Sequence, residues 1–355
     1  MNHVRMLWIC PGFSADEYDV NCIPPLQSLA RSLISHGVDL RIITLGYPFH
    51  SRAYTWHGIP VVSAYGLNGR WFRWMNWFRA ARYARQWNTD VKFDVIHSFW
   101  LGPCWLIGQY LRGLWKIPHF TTLMGQDILN DNVYLRFLRN RHFASLIALS
   151  EYQNQIFKKS TGHFAAHTIG WGLGTEDNPS TMAPQRPLTI LGCGSLIPLK
   201  NWPLWIKVVA KLVSGNPDLR AEIIGDGPDK NALERIINQA GLNQCIKLRG
   251  SLPRPEVLKR MRETKVFLHT AKYESFGYVL LEAAGSGCQV VSTPVGIARD
   301  LARCGNSVDE LYNQAVKALY SPAHPQPQTQ HLPLKSMDDT AVRYLELVAK
   351  KHSLR

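Results

Sequence analysis

The chain of 355 residues is too long for one ordinary hydrophobic core, so we expect two domains. A hydrophobic fraction of 46% with 19% charged residues excludes a disordered protein. The 40 Lys and Arg against 26 Asp and Glu give a net charge of +14, which indicates an anionic partner such as nucleotide phosphates, acidic lipid headgroups or nucleic acid.

The seven cysteines form no C-x-x-C pair, so the sequence predicts neither a zinc site nor a disulfide framework, and we expect a reducing cytoplasm. Pro11-Gly12 follows Met1–Cys10 too soon for a signal peptide. No apolar run reaches the roughly 18 residues of a membrane span. We therefore expect a soluble or peripheral protein.

The chain opens with a strand, a loop, a helix and a second strand. The runs 4–10 and 39–45 are typical of buried strands. The apolar residues between them recur at helical spacing: Leu26, Leu29, Ala30, Leu33 and Ile34. This order predicts a Rossmann-like domain. Its first loop is not G-x-G-x-x-G and no acid follows at the dinucleotide position, so NAD binding is not indicated.

Residues 69–87, GRWFRWMNWFRAARYARQW, contain four Trp, five Arg and no acidic side chain. Trp71, Trp74, Phe78 and Ala81 form a stripe at helical spacing. One interpretation packs this stripe into the domain core and leaves the arginines exposed. The other is a patch of aromatics and cations on an anionic membrane surface. The sequence leaves both open, whereas nucleic acid is not expected because no recognised binding module accompanies the segment.

Further apolar runs of strand type in the first half are 93–99, 118–124, 145–149 and 165–169, with a helix predicted at 151–159. The polar, proline-rich segment 175–187 then predicts a domain linker. A second Rossmann series follows, with strands at 188–193, 222–224, 246–248, 266–269 and 289–292. After Asp300 the strand pattern weakens, so we expect a missing or shortened edge strand before a helix at 308–320.

The segment 265–300 carries the most specific pattern of the chain. A strand ends at His269, the loop contains Ser275-Phe276-Gly277, and a helix follows. Glu274 therefore precedes the helix and Glu282 lies within it, so the two acids flank the helix N-terminus. Because that terminus attracts anions, a diphosphate could bind there with hydroxyl groups held by the two carboxylates. A nucleotide sugar has this layout.

This pattern, E-x7-E with Gly287, Pro294 and Gly296 behind it, resembles the retaining GT-B glycosyltransferases of family four, the glycosyl transferases of group 1. The resemblance implies an α/β, GT-B fold: two Rossmann-like domains with parallel sheets facing a central cleft, and a C-terminal helix that returns to the first domain. The acceptor domain would be 1–174 with helix 337–355, and the donor domain 175–330.

The resemblance also implies roles for particular residues. Lys200 matches the lysine of the family's G-R-L-x3-K and would neutralise the donor diphosphate, with Ser195 where the family has Arg. Glu274 would hold the donor sugar and Glu282 the ribose. The other donor-binding candidates are Gly225, Asp226, Ser275, Phe276, Gly277 and Tyr278.

On the acceptor side, Met124 stands where the family often has His, in the run Met124-Gly125-Gln126-Asp127. Asp127 is a candidate catalytic residue, because its carboxylate could accept a hydrogen bond from the sugar or acceptor. The candidates for acceptor or cleft contact are Gly12, Asp16, Glu17 and His97; for His97 a structural, hydrogen-bonded role is favoured.

The resemblance thus implies a metal-independent retaining hexosyltransferase that takes a hexose-type sugar from a UDP- or GDP-sugar to a glycan or lipid-linked acceptor. It predicts no cofactor and no metal ligands, since no D-x-D motif is present. A bacterial cell-surface glycan or glycolipid pathway is expected, in the cytoplasm and peripherally on the inner face of the membrane. The alternatives are a catalytically silent nucleotide-sugar-binding or membrane-scaffold protein and a sugar-nucleotide epimerase.

Overall fold

The computed structural model describes residues 4–65, 73–174, 186–320 and 335–352. The chain divides into two compact units, Met1–Gly174 with Ser336–Arg355, and Thr175–Lys335. Each unit is α/β and is built on one sheet in which parallel pairing dominates, as the sequence predicts. In the described ranges no helix is both long and apolar enough to cross a membrane.

The first unit contains eight strands, which are β1 (Arg5–Gly12), β2 (Asp39–Tyr47), β3 (Arg52–Trp56), β4 (Ile59–Ser63), β5 (Val95–Phe99), β6 (His119–Thr122), β7 (Leu146–Ala148) and β8 (His167–Thr168). They form one sheet in the order β3-β4-β2-β1-β5-β6-β7-β8. Only β3 in this sheet of described strands runs antiparallel to its neighbour. The helices around the sheet are α1 (Pro24–Ser35), α2 (Arg73–Asp90), α3 (Pro103–Trp115), α4 (Asn140–Phe143) and α5 (Glu151–Thr161).

The second unit has a six-stranded parallel sheet of β9 (Leu188–Cys193), β10 (Ala221–Ile224), β11 (Ile246–Leu248), β12 (Thr264–His269), β13 (Gln289–Ser292) and β14 (Arg303–Cys304). The strand order is β11-β10-β9-β12-β13-β14, the order of a doubly wound nucleotide-binding sheet. Its helices are α6 (Trp202–Gly215), α7 (Lys230–Gln239), α8 (Arg254–Arg262), α9 (Tyr278–Gly285), α10 (Ala298–Leu301) and α11 (Val308–Tyr320). The strand order reverses between β9 and β12, and ligands bind at the carboxyl edge of such a switch point.

The chain ends in helix α12 (Met337–His352), which packs on the first unit as expected. The hydroxyl of Tyr344 lies 2.9 Å from Thr122 Oγ1 on β6, and Thr340 donates to the carbonyl of Gly170 at 3.1 Å. Tyr344 is 3% exposed, so these polar contacts are made inside an apolar interface. Buried hydrogen bonds of this kind fix the position of the helix, because an unpaired buried hydroxyl would cost free energy.

Helix α2 packs on the core through Ala80 and Ala84, with Trp77, Tyr83 and Trp87 partly buried beside them. Ala80 and Ala84 are fully buried and lie at i, i+4 on the face toward the sheet. Trp74 is 52% exposed and Phe78 69% exposed on the opposite face. Trp74 and Phe78 of the predicted stripe therefore face solvent and not the core, and Ala81 is half-buried. Trp71 falls outside the described residues.

Three features of the first unit are not predicted from the sequence: the β3–β4 hairpin, helix α3 and the one-turn helix α4. The hairpin adds an antiparallel edge to an otherwise parallel sheet, which is common in large sheets. In the second unit the sequence predicts a missing or shortened edge strand. The structure has a short one, β14, with two residues.

Candidate functional site

The carboxyl edge of the second sheet brings three loops together at the switch point. The loop after β9 accepts hydrogen bonds from the loop after β12, since the amide of Lys272 donates to Leu199 at 2.8 Å and Thr270 Oγ1 to the Lys200 carbonyl at 3.1 Å. The loop after β10 is fixed to the same place, because the amide of Leu196 donates to Asp226 at 2.9 Å. Residues far apart in sequence thus have defined positions around one edge.

Lys200 and Glu274 form an ion pair at this edge, with the Lys200 ammonium on Glu274 Oε1. The side chains are 18% and 15% exposed, so the pair is largely shielded from water. His269, the last residue of β12, places Nε2 at 3.1 Å from the same carboxylate oxygen. Burial raises the pKa of Glu274, but the adjacent His269 ring and the charge of Lys200 outweigh burial and lower the pKa to about 2. Glu274 is therefore an acceptor-only anion at neutral pH.

Glu282 lies on α9 and is paired with Arg254, the first residue of α8. Arg254 donates from Nε at 3.0 Å and from Nη2 at 2.9 Å to Glu282 Oε1. The two side chains are 11% and 12% exposed. Burial raises the pKa of the nearby Cys193 thiol to about 12, Glu282 adds to that rise, and Lys200 opposes it. Both charges therefore influence the thiol at the end of β9.

The backbone between the two acids adopts a turn that only small residues permit. Gly277 has φ 86° and precedes the first residue of α9, so the helix begins without a capping side chain. Gly296 has φ 55°, and a Cβ at this position would overlap the carbonyl of Phe276. That carbonyl also accepts the amide of Ile297 at 2.8 Å. The turn therefore presents the N-terminus of α9 at the carboxyl edge of the sheet, where backbone N–H groups favour an anion.

Other predicted donor residues lie around the same edge. Ser195 is exposed in the loop after β9, and its carbonyl accepts the indole N–H of Trp202 at 3.0 Å. Gly225 has φ 145° and packs against the backbone of Gly194, where a Cβ would not fit. Asp226 is exposed and its carboxylate accepts the amide of Gly227 at 2.8 Å. The Asp226 carboxylate thus stabilises its own turn. The Ser195 side chain lies in an exposed position.

In the first unit, Asp127 fixes the backbone of two loops. Its carboxylate accepts the amides of Leu101 at 2.8 Å, Gly125 at 2.7 Å and Met124 at 3.2 Å. Burial raises the pKa of Asp127, and the bonds from these amides oppose the rise. Asp127 thus positions these two loops, because backbone amides of the protein donate to both of its carboxylate oxygens.

Asp127 also lines a cavity of about 780 Å³ at the carboxyl edge of the first sheet, which we call the head pocket. Its lining includes Pro11 at the end of β1, Gly46 at the end of β2 and Trp100 after β5. The remaining walls combine aromatic rings with polar groups, a composition typical of small-molecule sites, and include Phe49, Tyr65, Asn76, Trp77, Gln126, Asp131, Asn132 and Tyr134.

The acceptor-side candidates lie at different places in the first unit. Gly12 pairs with Tyr47 in the sheet and is buried. Asp16 is exposed and accepts the amides of Tyr18 and Asp19, and Glu17 accepts the amide of His57 at 3.0 Å. These acids stabilise the loop after β1, and none of them is among the residues lining the head pocket.

His97 is buried in the first sheet and is 2% exposed. Its Nε2 lies 2.8 Å from Thr122 Oγ1, and its ring stacks on Phe99. Burial lowers the pKa of His97 to about 3, so the ring is neutral at physiological pH. Through Thr122 the ring connects to Tyr344 on α12. This is the hydrogen-bonded structural placement that the sequence analysis favours.

Two residues of the donor edge that contact the acids are not singled out by the sequence analysis, His269 and Arg254. His269 could have been found, since a histidine closes a buried strand just before the Glu274 loop. Arg254 has no comparable signal, because it lies 28 positions before its partner. Across the described ranges, no group of three or more His, Cys, Asp or Glu side chains is arranged to hold a metal ion.

Comparison with known proteins agrees with this geometry. Residues 175–315 match the family "Glycosyl transferases group 1", and residues 26–169 match "Glycosyltransferase Family 4". A curated relative, the phosphatidylinositol N-acetylglucosaminyltransferase GPI3 subunit of Saccharomyces cerevisiae, is 30% identical over 120 residues, which is 34% of this chain and 26% of the relative. The chain thus matches only about a quarter of that relative's length.

Solved structures share the fold over nearly the whole chain. Sucrose-phosphate synthase from Thermosynechococcus elongatus has a TM-score of 0.76 at 13% identity, covering 99% of this chain and all of that one. Anabaena Alr3699/HepE, solved with UDP and glucose, has a TM-score of 0.74 at 16% identity, covering 98% and 100%. At such identities the likeness shows the fold. Taken with the two family matches, it shows that the chain belongs to the group 1 glycosyltransferases and has the GT-B fold.

Proposed function

We propose that the protein transfers a hexose-type sugar from a UDP- or GDP-sugar to an acceptor hydroxyl with retention of configuration and without a metal ion. The observation that carries the proposal is the meeting of Lys200, Glu274 and Glu282 around the N-terminus of α9 at the switch point. The Lys200 ammonium, the two carboxylates and the helix end match a diphosphate with a hydroxyl-bearing ring at each end.

Donor binding would rearrange the ion pair between Lys200 and Glu274. The diphosphate would attract the Lys200 ammonium, and the sugar hydroxyls would donate to the Glu274 carboxylate in its place. Glu274 would keep the His269 ring 3.1 Å from Oε1, and the His269 ring would continue to lower the pKa of Glu274. Glu282 would accept a hydrogen bond from a ribose hydroxyl. Arg254 would keep its two hydrogen bonds to Glu282 Oε1.

The main catalytic effect would be stabilisation of the leaving diphosphate. As the bond from the sugar C1 to the phosphate oxygen breaks, negative charge grows on that oxygen. Lys200, the Ser195 hydroxyl and the amides at Gly277 and Tyr278 would stabilise that charge, and such preorganised groups act most strongly where water is excluded. The acceptor proton would go to the leaving phosphate, so this proposal needs no protein base.

The proposal is tested with purified protein, a panel of UDP- and GDP-sugars that includes UDP-N-acetylglucosamine, and simple sugar acceptors, with and without EDTA. We expect release of the nucleoside diphosphate with a product of unchanged anomeric configuration by NMR, and the same rate in EDTA. An isomerised donor would instead identify an epimerase. Binding without turnover would identify a silent nucleotide-sugar-binding or scaffold protein.

We further propose that the protein lies peripherally on the inner face of the cell membrane and acts in the synthesis of cell-surface glycans or glycolipids. The exposed face of α2 supports this, because Trp74 and Phe78 are exposed there beside Arg82 and Arg85. Aromatic side chains at an interface and arginines on anionic headgroups act together in such binding. The name of the yeast relative, which includes phosphatidylinositol, favours a lipid-linked acceptor.

Flotation with vesicles containing phosphatidylglycerol tests the membrane contact. We expect the Trp74→Ala, Phe78→Ala double variant to lower the vesicle partition coefficient about tenfold or more, since each buried aromatic contributes roughly 1.5–3 kcal/mol. The control is Phe164→Ala, which removes a 42% exposed aromatic elsewhere in the same unit and should leave flotation unchanged. Equal flotation of both variants would show that α2 is not the contact.

A further inference from the structure

A second cavity of the first unit lies between α2 and α3, and we call it the chain groove. Its volume is about 830 Å³, within the range of small-molecule sites. One side is formed by Trp77, Phe78 and Ala81, and the other by Leu106, Ile107 and Tyr110. These apolar side chains make the groove suited to hydrocarbon.

The groove opens to solvent through apolar residues. Phe78 is 69% exposed and Tyr110 is 52% exposed, and both line the groove. Leu114, one turn beyond Tyr110 on α3, is 49% exposed. A cluster of exposed apolar side chains of this kind marks a binding surface, because leaving it in water is unfavourable. The polar part of the rim is Arg82, Arg85, Gln86 and Thr89, and among the residues that the structure describes no carboxylate lines the groove.

Trp77 lines both the chain groove and the head pocket. The two cavities therefore adjoin at one indole ring. The head pocket offers polar groups that bind hydroxyls, whereas the chain groove has mainly apolar walls, with Arg82, Arg85, Gln86 and Thr89 at its rim. A molecule that occupies both must be polar at one end and hydrocarbon at the other.

From this arrangement we propose that the acceptor is a lipid whose hydroxyl-bearing head occupies the head pocket and whose hydrocarbon chain passes Trp77 into the chain groove. The inference rests on the proposed function and narrows its acceptor class. Arg82 and Arg85 are exposed at the rim, so they would contact anionic headgroups of the bilayer from which the lipid enters. A glycan without a lipid would leave the groove empty.

Titration calorimetry with methyl, butyl and octyl glucoside, each below its micelle concentration, tests the proposal without knowing the natural acceptor. We expect the Kd to fall about tenfold to 200-fold from butyl to octyl glucoside, because each of the four additional CH₂ groups lowers the Kd about fourfold when it is fully buried. Ala81→Trp, which fills the groove, should abolish the dependence on chain length and leave methyl glucoside binding unchanged. The matched control is Ala240→Trp at an exposed position on the second unit.

Binding of UDP, measured in parallel, reports on the second unit and is independent of the groove. An unchanged UDP affinity and an unchanged melting temperature show that Ala81→Trp is folded. If the three glucosides bind with equal Kd, or if octyl glucoside still binds more tightly to Ala81→Trp, the lipid-chain inference is wrong even when donor turnover occurs. Concentration-dependent dimers that Ala81→Trp abolishes, with no effect of chain length, would assign the groove to a second copy of this protein.

Discussion

Replacing Lys200 with methionine should lower the turnover number by about 100- to 1,000-fold, the usual cost of removing one donor that stabilises developing negative charge. The Kd for the nucleoside diphosphate should change much less, because the charge on the bridging phosphate oxygen grows mainly in the transition state. Steady-state kinetics on the donor and calorimetry on the free nucleotide give the two quantities. Methionine keeps most of the aliphatic length of lysine, so the packing of the side chain is retained.

The same substitution removes a charge that keeps Glu274 ionised, and the pH profile separates the two effects. Lys200 and His269 hold the pKa of Glu274 at about 2 against the effect of burial. Without Lys200 this pKa should rise, so the fraction of ionised Glu274 falls at low pH and recovers as pH increases. If Lys200 acts on the leaving group, the loss of turnover should be the same from about pH 6 to pH 8. Recovery of activity at the upper end would assign Lys200 to Glu274 instead.

Lys211→Met is the matched control for the loss of a paired lysine. Lys211 Nζ lies 2.5 Å from Asp309 Oδ1 on the surface of the same unit, and the Lys211 side chain is 44% exposed. An exposed pair of this kind contributes little to stability, and it lies outside the donor edge. Turnover of Lys211→Met should match that of the unaltered protein. Full activity in Lys200→Met would show that the leaving group is stabilised elsewhere.

The fold is largely predictable because buried parallel strands have short apolar runs whose ends are marked by glycine, proline or polar residues. The limits of β9, β13 and α11 agree with the runs read from the sequence. The β3–β4 hairpin escapes prediction because its outer strand is exposed and alternates weakly. Helix α3 lacks a clear polar face, since apolar residues occur on all of its sides.

The direction of the α2 stripe could not be predicted, because periodicity identifies a face but not what it packs against. Hydrophobicity favours turning Trp74 and Phe78 inward. The helix instead packs on the sheet through Ala80 and Ala84, since small residues allow the closest approach. The aromatics are left outside, where both the membrane contact and the chain groove are proposed.

The hydrogen-bond partners of the site side chains could likewise be predicted only in part. The spacing of Glu274 and Glu282 predicts that they flank a helix end, and the structure has that arrangement. The sequence gives no indication that Arg254 pairs with Glu282 or that Asp127 holds three backbone amides. Those contacts depend on how separate loops meet at a sheet edge, which local patterns do not encode.

Glu282→Gln should raise the Kd for UDP and GDP by about 10- to 100-fold. A hydrogen bond from a ribose hydroxyl to a charged carboxylate contributes roughly 1.5–3 kcal/mol, and an amide oxygen replaces only part of it. Glutamine retains an oxygen that can accept from Arg254, so the fold should tolerate the change. Truncation to alanine would leave Arg254 buried without its partner, and the cost of that charge would obscure the binding effect.

The chain offers a matched control in Glu222 on β10. Its carboxylate is also buried, at 6% exposure, and it pairs with Arg249 and Arg260. Glu222→Gln therefore removes the same kind of charge from the same unit, away from the donor edge. We expect it to lower the melting temperature while the Kd for UDP stays within about twofold. If Glu222→Gln weakens UDP binding as much as Glu282→Gln does, the effect comes from stability and not from contact with the ribose.

Nucleotides that lack one ribose hydroxyl make the assignment specific. If Glu282 accepts from the ribose, then 2′-deoxy-UDP or 3′-deoxy-UDP should bind the unaltered protein about as weakly as UDP binds Glu282→Gln. The combination of variant and deoxynucleotide should cost little more than either change alone, because both remove the same hydrogen bond. Additive losses with both deoxynucleotides would mean that Glu282 and the ribose do not interact. Arg254 would then be the residue to test next, since it is the charged group nearest to Glu282.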